Sequence, residues 1–215
     1  PDLITFPPRS VPKISGEMVR GLTSNDFDYD NKTDFVAGTD KGKIMLYKNN
    51  GVFYTNGNRT KNVNFTQILI DDIHETAWGM SSADFFKDNY PDLIVGTESG
   101  KIIFYNNSQG IFVNNFTLLD VGDWAYGLAT SDFNNDNIFD LVIGNKIGQV
   151  NLYINNMTND ELNNKSMIFN GTLTTRDLPF GMTTGDYDLD GHADIMVGDR
   201  LGQLERIIFE IDKYN

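Results

Sequence analysis

The chain has 215 residues, no cysteine, and 30 acidic against 17 basic side chains, for a formal net charge of −13. This length, with 40% hydrophobic and 12% aromatic residues, suffices for a packed core and excludes a disordered acidic tail. Disulfides, thiolate zinc and thiol catalysis are excluded, no apolar run approaches a membrane span, and the acidic field repels nucleic acid and anionic bilayers. The sequence opens at Pro1 with neither an initiator Met nor a charged-plus-apolar leader, which reads as the start of a processed or trimmed chain.

In chain order, the sequence repeats itself four times, over 21–42, 79–100, 127–148 and 181–202, without a gap inside any copy. Each copy opens with Gly (Gly21, Gly79, Gly127, Gly181), followed five positions on by Asp26, Asp84, Asp132 or Asp186. Eight positions further stands Asp34, Asp92, Asp140 or Asp194, then glycine pairs such as Gly38 and Gly42. Length varies only in the connections, so the unit has one geometry. An opening strand such as Trp78 to Ala83 leads into the Asp-rich loop. The apolar runs Phe35-Val36-Ala37, Leu93-Ile94-Val95, Leu141-Val142-Ile143 and Ile195-Met196-Val197 follow, each read as a strand covered on both faces. The Gly-x-x-x-Gly stretch makes a hairpin whose last Gly takes positive φ. A third strand alternates, as in Val150 to Ile154, and a looser fourth follows, as in Phe65 to Ile70. Thr158 to Lys165 is at most a helical turn. Units of about four antiparallel strands, too short to hold their own cores, predict an all-β, β-propeller fold over a row of small sandwiches.

The loops carry the chemistry. Oxygens at positions 1, 3 and 5, a carbonyl at 7 and a carboxylate at 9 wrap one hard cation such as Ca²⁺. The first loop offers Asp26, Asp28, Asp30, Lys32 (carbonyl) and Asp34; the fourth offers Asp186, Asp188, Asp190, His192 (carbonyl) and Asp194. The third offers Asp132, Asn134, Asp136, Ile138 (carbonyl) and Asp140. The second offers Asp84, Asp88, Tyr90 (carbonyl) and Asp92, with Phe86 removing the position-3 ligand. Position 6 (Asn31, Asn89, Asn137, Gly191) suits a left-handed turn. Repeats one and four are the strongest sites and repeat two the weakest. An EF-hand is excluded, because its position-12 Glu is here Ala37, Val95, Ile143 or Val197. The four loops hold 14 of the 30 acids, and four Ca²⁺ ions would bring the net charge from −13 to −5.

These repeats resemble the FG-GAP/VCBS family of propeller repeats found in integrin α-subunits and many secreted microbial proteins. The matching residues are Phe180-Gly181-Met182 and Trp78-Gly79-Met80 at the opening, Asp186 to Asp194 in the loop, and Asp140-Leu141-Val142-Ile143-Gly144 after it. The resemblance spans roughly residues 20 to 211. It implies extracellular, calcium-stiffened blades used for adhesion or as a scaffold. Arg20 in place of the opening aromatic and Phe86 in the second loop depart from the pattern. The family's propellers often have seven blades, against four here.

Eight Asn-x-Ser/Thr sequons, against roughly three expected by chance, point to a secreted, glycosylated surface. Asn58, Asn64, Asn106, Asn115, Asn156, Asn164 and Asn170 are the candidates, and Asn31 is the poorest because it sits in a metal loop. The fourth repeat supplies only three strands, and Pro1 to Phe6 within residues 1–19 is a candidate for the missing one. Strand exchange then gives a ring closed in one chain, head-to-tail assembly between subunits, or a fragment of a longer propeller. Three functions are weighed: a self-associating structural or adhesive module, a glycan- or receptor-binding lectin-like module, and a polysaccharide lyase scaffold. Against the enzyme, the only histidines are His74, expected at the surface, and His192, whose ring is expected to be idle. Trp78, Trp124 and Tyr126 are read as packing between blades before a sugar platform.

Overall fold

Apolar runs flanked by acidic loops and glycine turns have one stable outcome, a strand enclosed on both faces. In the computed structural model, which describes residues 14, 16–55, 60–156 and 166–207, every such run is the second strand of an antiparallel meander, with four strands in the first three blades and three described in the fourth. Blade 1 comprises β1 (Val19–Asn25), β2 (Asp34–Thr39), β3 (Lys43–Thr55) and β4 (Thr60–Asp72). Blade 2 comprises β5 (Ala77–Ala83), β6 (Asp92–Thr97), β7 (Lys101–Ser108) and β8 (Ile111–Asp120). Blade 3 comprises β9 (Ala125–Ser131), β10 (Asp140–Asn145), β11 (Gln149–Asn155) and β12 (Met167–Thr174). Blade 4 comprises β13 (Pro179–Gly185), β14 (Asp194–Asp199) and β15 (Leu204–Ile207).

All pairings are antiparallel between neighbours in sequence, and the described residues contain no helix. The four sheets form a four-bladed β-propeller, as the repeats predict. β6 and β10 are buried at every residue, because each lies at the centre of a sheet with a blade on either side. Gly42, Gly100, Gly148 and Gly202 close the β2–β3, β6–β7, β10–β11 and β14–β15 hairpins at φ between 79° and 99°, the left-handed region assigned to them. Residues 1–6 and the Thr158–Lys165 segment lie outside the described residues. Among the described residues, no helix is long and apolar enough to cross a membrane.

The core is not one mass but a set of seams between blades. Phe27, Val36, Ile44 and Leu46 of blade 1 pack on Ala77, Met80 and Val95 of blade 2. Phe85, Ile94 and Phe104 meet Ala125 and Leu141 in the next seam, and Phe133, Val142 and Leu152 meet Ile195 and Val197 in the third. Each fully buried Val, Leu, Ile or Phe among them contributes about 1.5–3 kcal/mol. The inner strands approach so closely that a Cβ at Gly79 would lie 2.8 Å from Leu128 Cγ and 3.0 Å from the Tyr126 carbonyl oxygen, which only glycine allows. β1 packs on β5, β5 on β9 and β9 on β13. These four inner strands line a central cavity of about 340 Å³ rimmed by hydroxyls, including Thr23, Ser82, Thr130 and Thr184.

Candidate metal centres

Each acidic loop joins the first strand of its blade to the second, and the same hydrogen bonds curl all four. The position-1 carboxylate accepts backbone N–H groups from positions 5 and 6. Asp26 accepts from Asp30 (3.0 Å) and Asn31 (2.7 Å), and Asp186 from Asp190 (3.1 Å) and Gly191 (3.0 Å). Asp84 and Asp132 make the same pairs. The position-5 carboxylate accepts the N–H of position 7, as Asp30 does from Lys32, Asp88 from Tyr90, Asp136 from Ile138 and Asp190 from His192. These turns need two left-handed residues. Asn31, Asn89, Asn137 and Gly191 supply one, at φ 64–90°. Position 4 supplies the other through Tyr29, Lys87, Asn135 and Leu189, at φ 56–63°. Sequence reasoning missed these, because Tyr, Lys and Leu carry no left-handed signal.

The position-9 aspartates sit beneath the loop, buried at 0–3% exposure. Asp140 accepts from Phe133 N–H (2.8 Å) and from Asn155 N–H on β11 (2.8 Å). Asp92 does the same with Phe85 and Asn107, and Asp34 with Phe27 and Asn49. An Asn 15 residues after the second Asp was legible in three of the four repeats and was overlooked. Burial pushes Asp34 up to about 6 and Asp92 and Asp140 up to about 7, against the pull of the two N–H donors; neighbouring loop carboxylates add to the rise.

In blades 1 and 4 the carboxylates converge. Asp26, Asp28 and Asp34, and likewise Asp186, Asp188 and Asp194, each place one oxygen within 4.8 Å of the others. Two oxygens bound to one Ca²⁺ at about 2.4 Å lie no more than about 4.8 Å apart, so both triads fit a hard cation. Asp28 Oδ1 is also buried, with no hydrogen-bond partner among the described residues. Asp30 and Asp190 stand outside the triads. Lys48 pairs with Asp28, and Lys32 pairs with Asp30 at 2.5 Å and holds that carboxyl below its usual range, so two ammonium groups already face the first loop. In blade 2, Phe86 turns into the core, 5.9 Å from Phe104 edge to face. In blade 3, Asn134 donates to Asp136 Oδ2 at 2.8 Å. Neither loop brings three carboxylates together.

The His192 ring is not idle. Its Nδ1 lies 3.0 Å from the side-chain amide of Asn135, which also donates to the Gly191 carbonyl, joining the third and fourth loops. His74 is exposed, 3.2 Å from Asp72. Trp78 stacks on Trp124 at 5.8 Å, with Tyr126 edge-on to both and Phe180 beyond it. Arg20 covers Trp78 at 5.0 Å and Lys146 covers Trp124 at 3.9 Å. This cluster joins the blades, as expected, and Arg20, Trp78, Tyr126 and Phe180 also line a pocket of about 190 Å³ between the inner strands. Among the sequons, Asn31, Asn64, Asn115, Asn156 and Asn170 are exposed and Asn106 is half-buried; Asn58 and Asn164 lie outside the described residues.

Comparison with known proteins agrees with this geometry. No curated protein matches the sequence. Among solved structures, the fold is similar to the computationally designed Ika4 protein (TM-score 0.51, 12% identity, 90% of this chain and 93% of that one). It is also similar to Chaetomium thermophilum Raptor (TM-score 0.55, 14% identity), where 94% of this chain matches 16% of that one. The profile of the FG-GAP-like repeat matches residues 84–143 and again 132–197, more than half of the chain. With its four acidic loops closed by the same hydrogen bonds and a glycine on every inner strand, the chain belongs to the FG-GAP-like repeat family.

Proposed function

We propose that the protein is an extracellular calcium-binding β-propeller with a structural or adhesive role, self-associating head to tail. The observation that carries this reading is the convergence of three aspartates in the first and fourth loops. A bound cation would neutralise these carboxylates and tie the first strand of each blade to the second. The third loop, with Asn134 neutral, and the second, lacking a position-3 oxygen, are weaker members of a set of up to four Ca²⁺ sites. FG-GAP-like repeats usually occur in extracellular proteins, and the exposed sequons support secretion. The direct test is calorimetric titration of Ca²⁺ into chelator-stripped protein. At least two ions are expected to bind and to raise the melting temperature; an absence of binding heat and an unchanged melting curve refute the reading.

A lectin-like role is the second reading, favoured by the aromatic and cationic rim of the smaller pocket. Binding on a glycan array that disappears in Trp78→Ala would select it over the scaffold role. No catalytic step forms part of either proposal.

A further inference from the structure

The three internal seams are built from the same interlocking parts. Each earlier blade presents a socket: the glycine of its inner strand, a glycine on its second strand, and an aromatic at the second loop position. Each later blade presents a knob of two apolar residues on its inner strand. A Cβ at Gly38 would meet the Ala77 Cβ at 2.7 Å, at Gly96 the Ala125 Cβ at 2.8 Å, and at Gly144 the Pro179 Cγ at 2.7 Å. In the same way Gly21 faces Met80, Gly79 faces Leu128 and Gly127 faces Met182, all within 3.2 Å. The loop aromatics Phe27, Phe85 and Phe133 are at most 1% exposed.

Blade 4 carries the same socket, and no described residue fills it. A Cβ at Gly181 or Gly202 would meet nothing within 4 Å among the described residues, and Gly198 has only ordinary contacts within its own sheet, the nearest at 3.7 Å. Tyr187, the counterpart of Phe27, is 44% exposed. Blade 1 carries the matching knob, and no socket encloses it among the described residues. Val19 and Leu22 are 53% and 63% exposed, whereas their counterparts Ala77 and Met80 are 0% and 7%. Glycine inside a strand is destabilising relative to alanine, and no described residue uses the close approach that the blade 4 glycines permit. Farther out on blade 1, Ile14 packs against Ala37, Met45 and Tyr47, so the free surface is the inner strand and its adjoining turn.

We infer that the open face of blade 4 receives the Val19 and Leu22 knob of a second copy of this chain. The contact is face to face, continuing the seam that already joins blades 1 to 4, and it is distinct from strand pairing at the edge of β15. It is heterologous, so it propagates until the rotation closes a ring or a filament forms. The inference deepens the self-association reading and does not depend on the metal.

Light scattering with size exclusion, at rising protein concentration with and without chelator, tests it. The wild-type chain is expected to run as a multiple of its 24.2 kDa mass. Leu22→Lys, which spoils only the knob, and Gly181→Val, which fills only the socket, are both expected to run as monomers and to melt like wild type diluted below assembly. Mixing the two restores one intact knob and one intact socket, so an equimolar mixture is expected to form a 1:1 dimer. A wild-type chain that stays monomeric at the highest attainable concentration overturns the inference, as does assembly unaffected by both variants or a mixture that remains monomeric. Assembly without calcium binding would sink the metal reading alone, whereas a calcium-stabilised monomer would sink this inference together with the self-association it rests on and leave the metal reading standing.

Discussion

Asn107, buried on the third strand of blade 2, donates its side-chain amide across the seam to the Phe27 carbonyl in the acidic loop of blade 1, 2.7 Å away. The same amide reaches the Pro91 carbonyl at 2.9 Å, and its oxygen accepts the Gly110 N–H at 3.0 Å. One side chain therefore fixes two acidic loops and a hairpin turn. Asn107→Ala strands these buried partners and is expected to cost about 2–3 kcal/mol in urea unfolding. Asn155→Ala is expected to cost less, because the Asn155 amide bonds the Phe139 carbonyl at 3.2 Å while its oxygen has no partner among the described residues.

The glycines should separate by seam. Gly96→Ala forces a methyl to within 2.8 Å of both the Ala125 Cβ and its carbonyl oxygen, and backbone cannot swing aside. A loss of about 1–3 kcal/mol is expected by denaturant titration. Gly198→Ala, at the equivalent place on the open blade, is expected to be neutral or slightly stabilising in the monomer. Equal losses at both positions would contradict the assigned seams.

Loop aspartates act as turn acceptors and, in the proposed sites, as ligands, and the two roles can be measured apart. Asp26→Ala, Asp84→Ala and Asp186→Ala each remove the acceptor of two backbone N–H groups, so all three are expected to melt earlier in chelator. With free calcium at 100 times its Kd, each ion stabilises the fold by about 2.7 kcal/mol. Asp26→Ala and Asp186→Ala are expected to forfeit that increment, while Asp84→Ala retains most of the calcium response. Thermal melts at fixed free calcium read the difference.

Lys48 competes with any cation for Asp28. The carboxylate holds the ammonium, raising its pKa, and a nearby divalent ion would be repelled by it. Lys48→Met is expected to tighten calcium binding at the first loop by about five- to tenfold, read by calorimetry. Weaker or unchanged binding would show that the ammonium and the ion do not share the site.

Much of this molecule was legible because its code is local and repeated. Two aspartates eight residues apart set the loop length, and Leu93-Ile94-Val95 is too apolar to lie anywhere but between two sheets. The repeated Gly-x-x-x-Gly stretch marked hairpins whose closing glycines all adopt positive φ. Phe86 and Asn134 foretold which loops would lack a carboxylate triad. Less visible were features that depend on a second element. The left-handed Leu189 is imposed by the N–H groups closing onto Asp186, and the His192 ring finds Asn135 only because blades 3 and 4 adjoin. Lys48 reaches Asp28 across a turn that spacing alone does not describe.

The sequence by itself determined the repeating unit, its strand order and the oxygens of its acidic turns, since each follows from contacts within one repeat and the connection after it. Only the tertiary structure decided which glycines are filled and which stand open. Gly79 and Gly181 occupy the same place in their repeats, yet one is pressed against Leu128 and Tyr126 while the other faces no described neighbour. That difference belongs to the packing of one blade on the next, and burial between blades is a property of the stack that no single repeat contains.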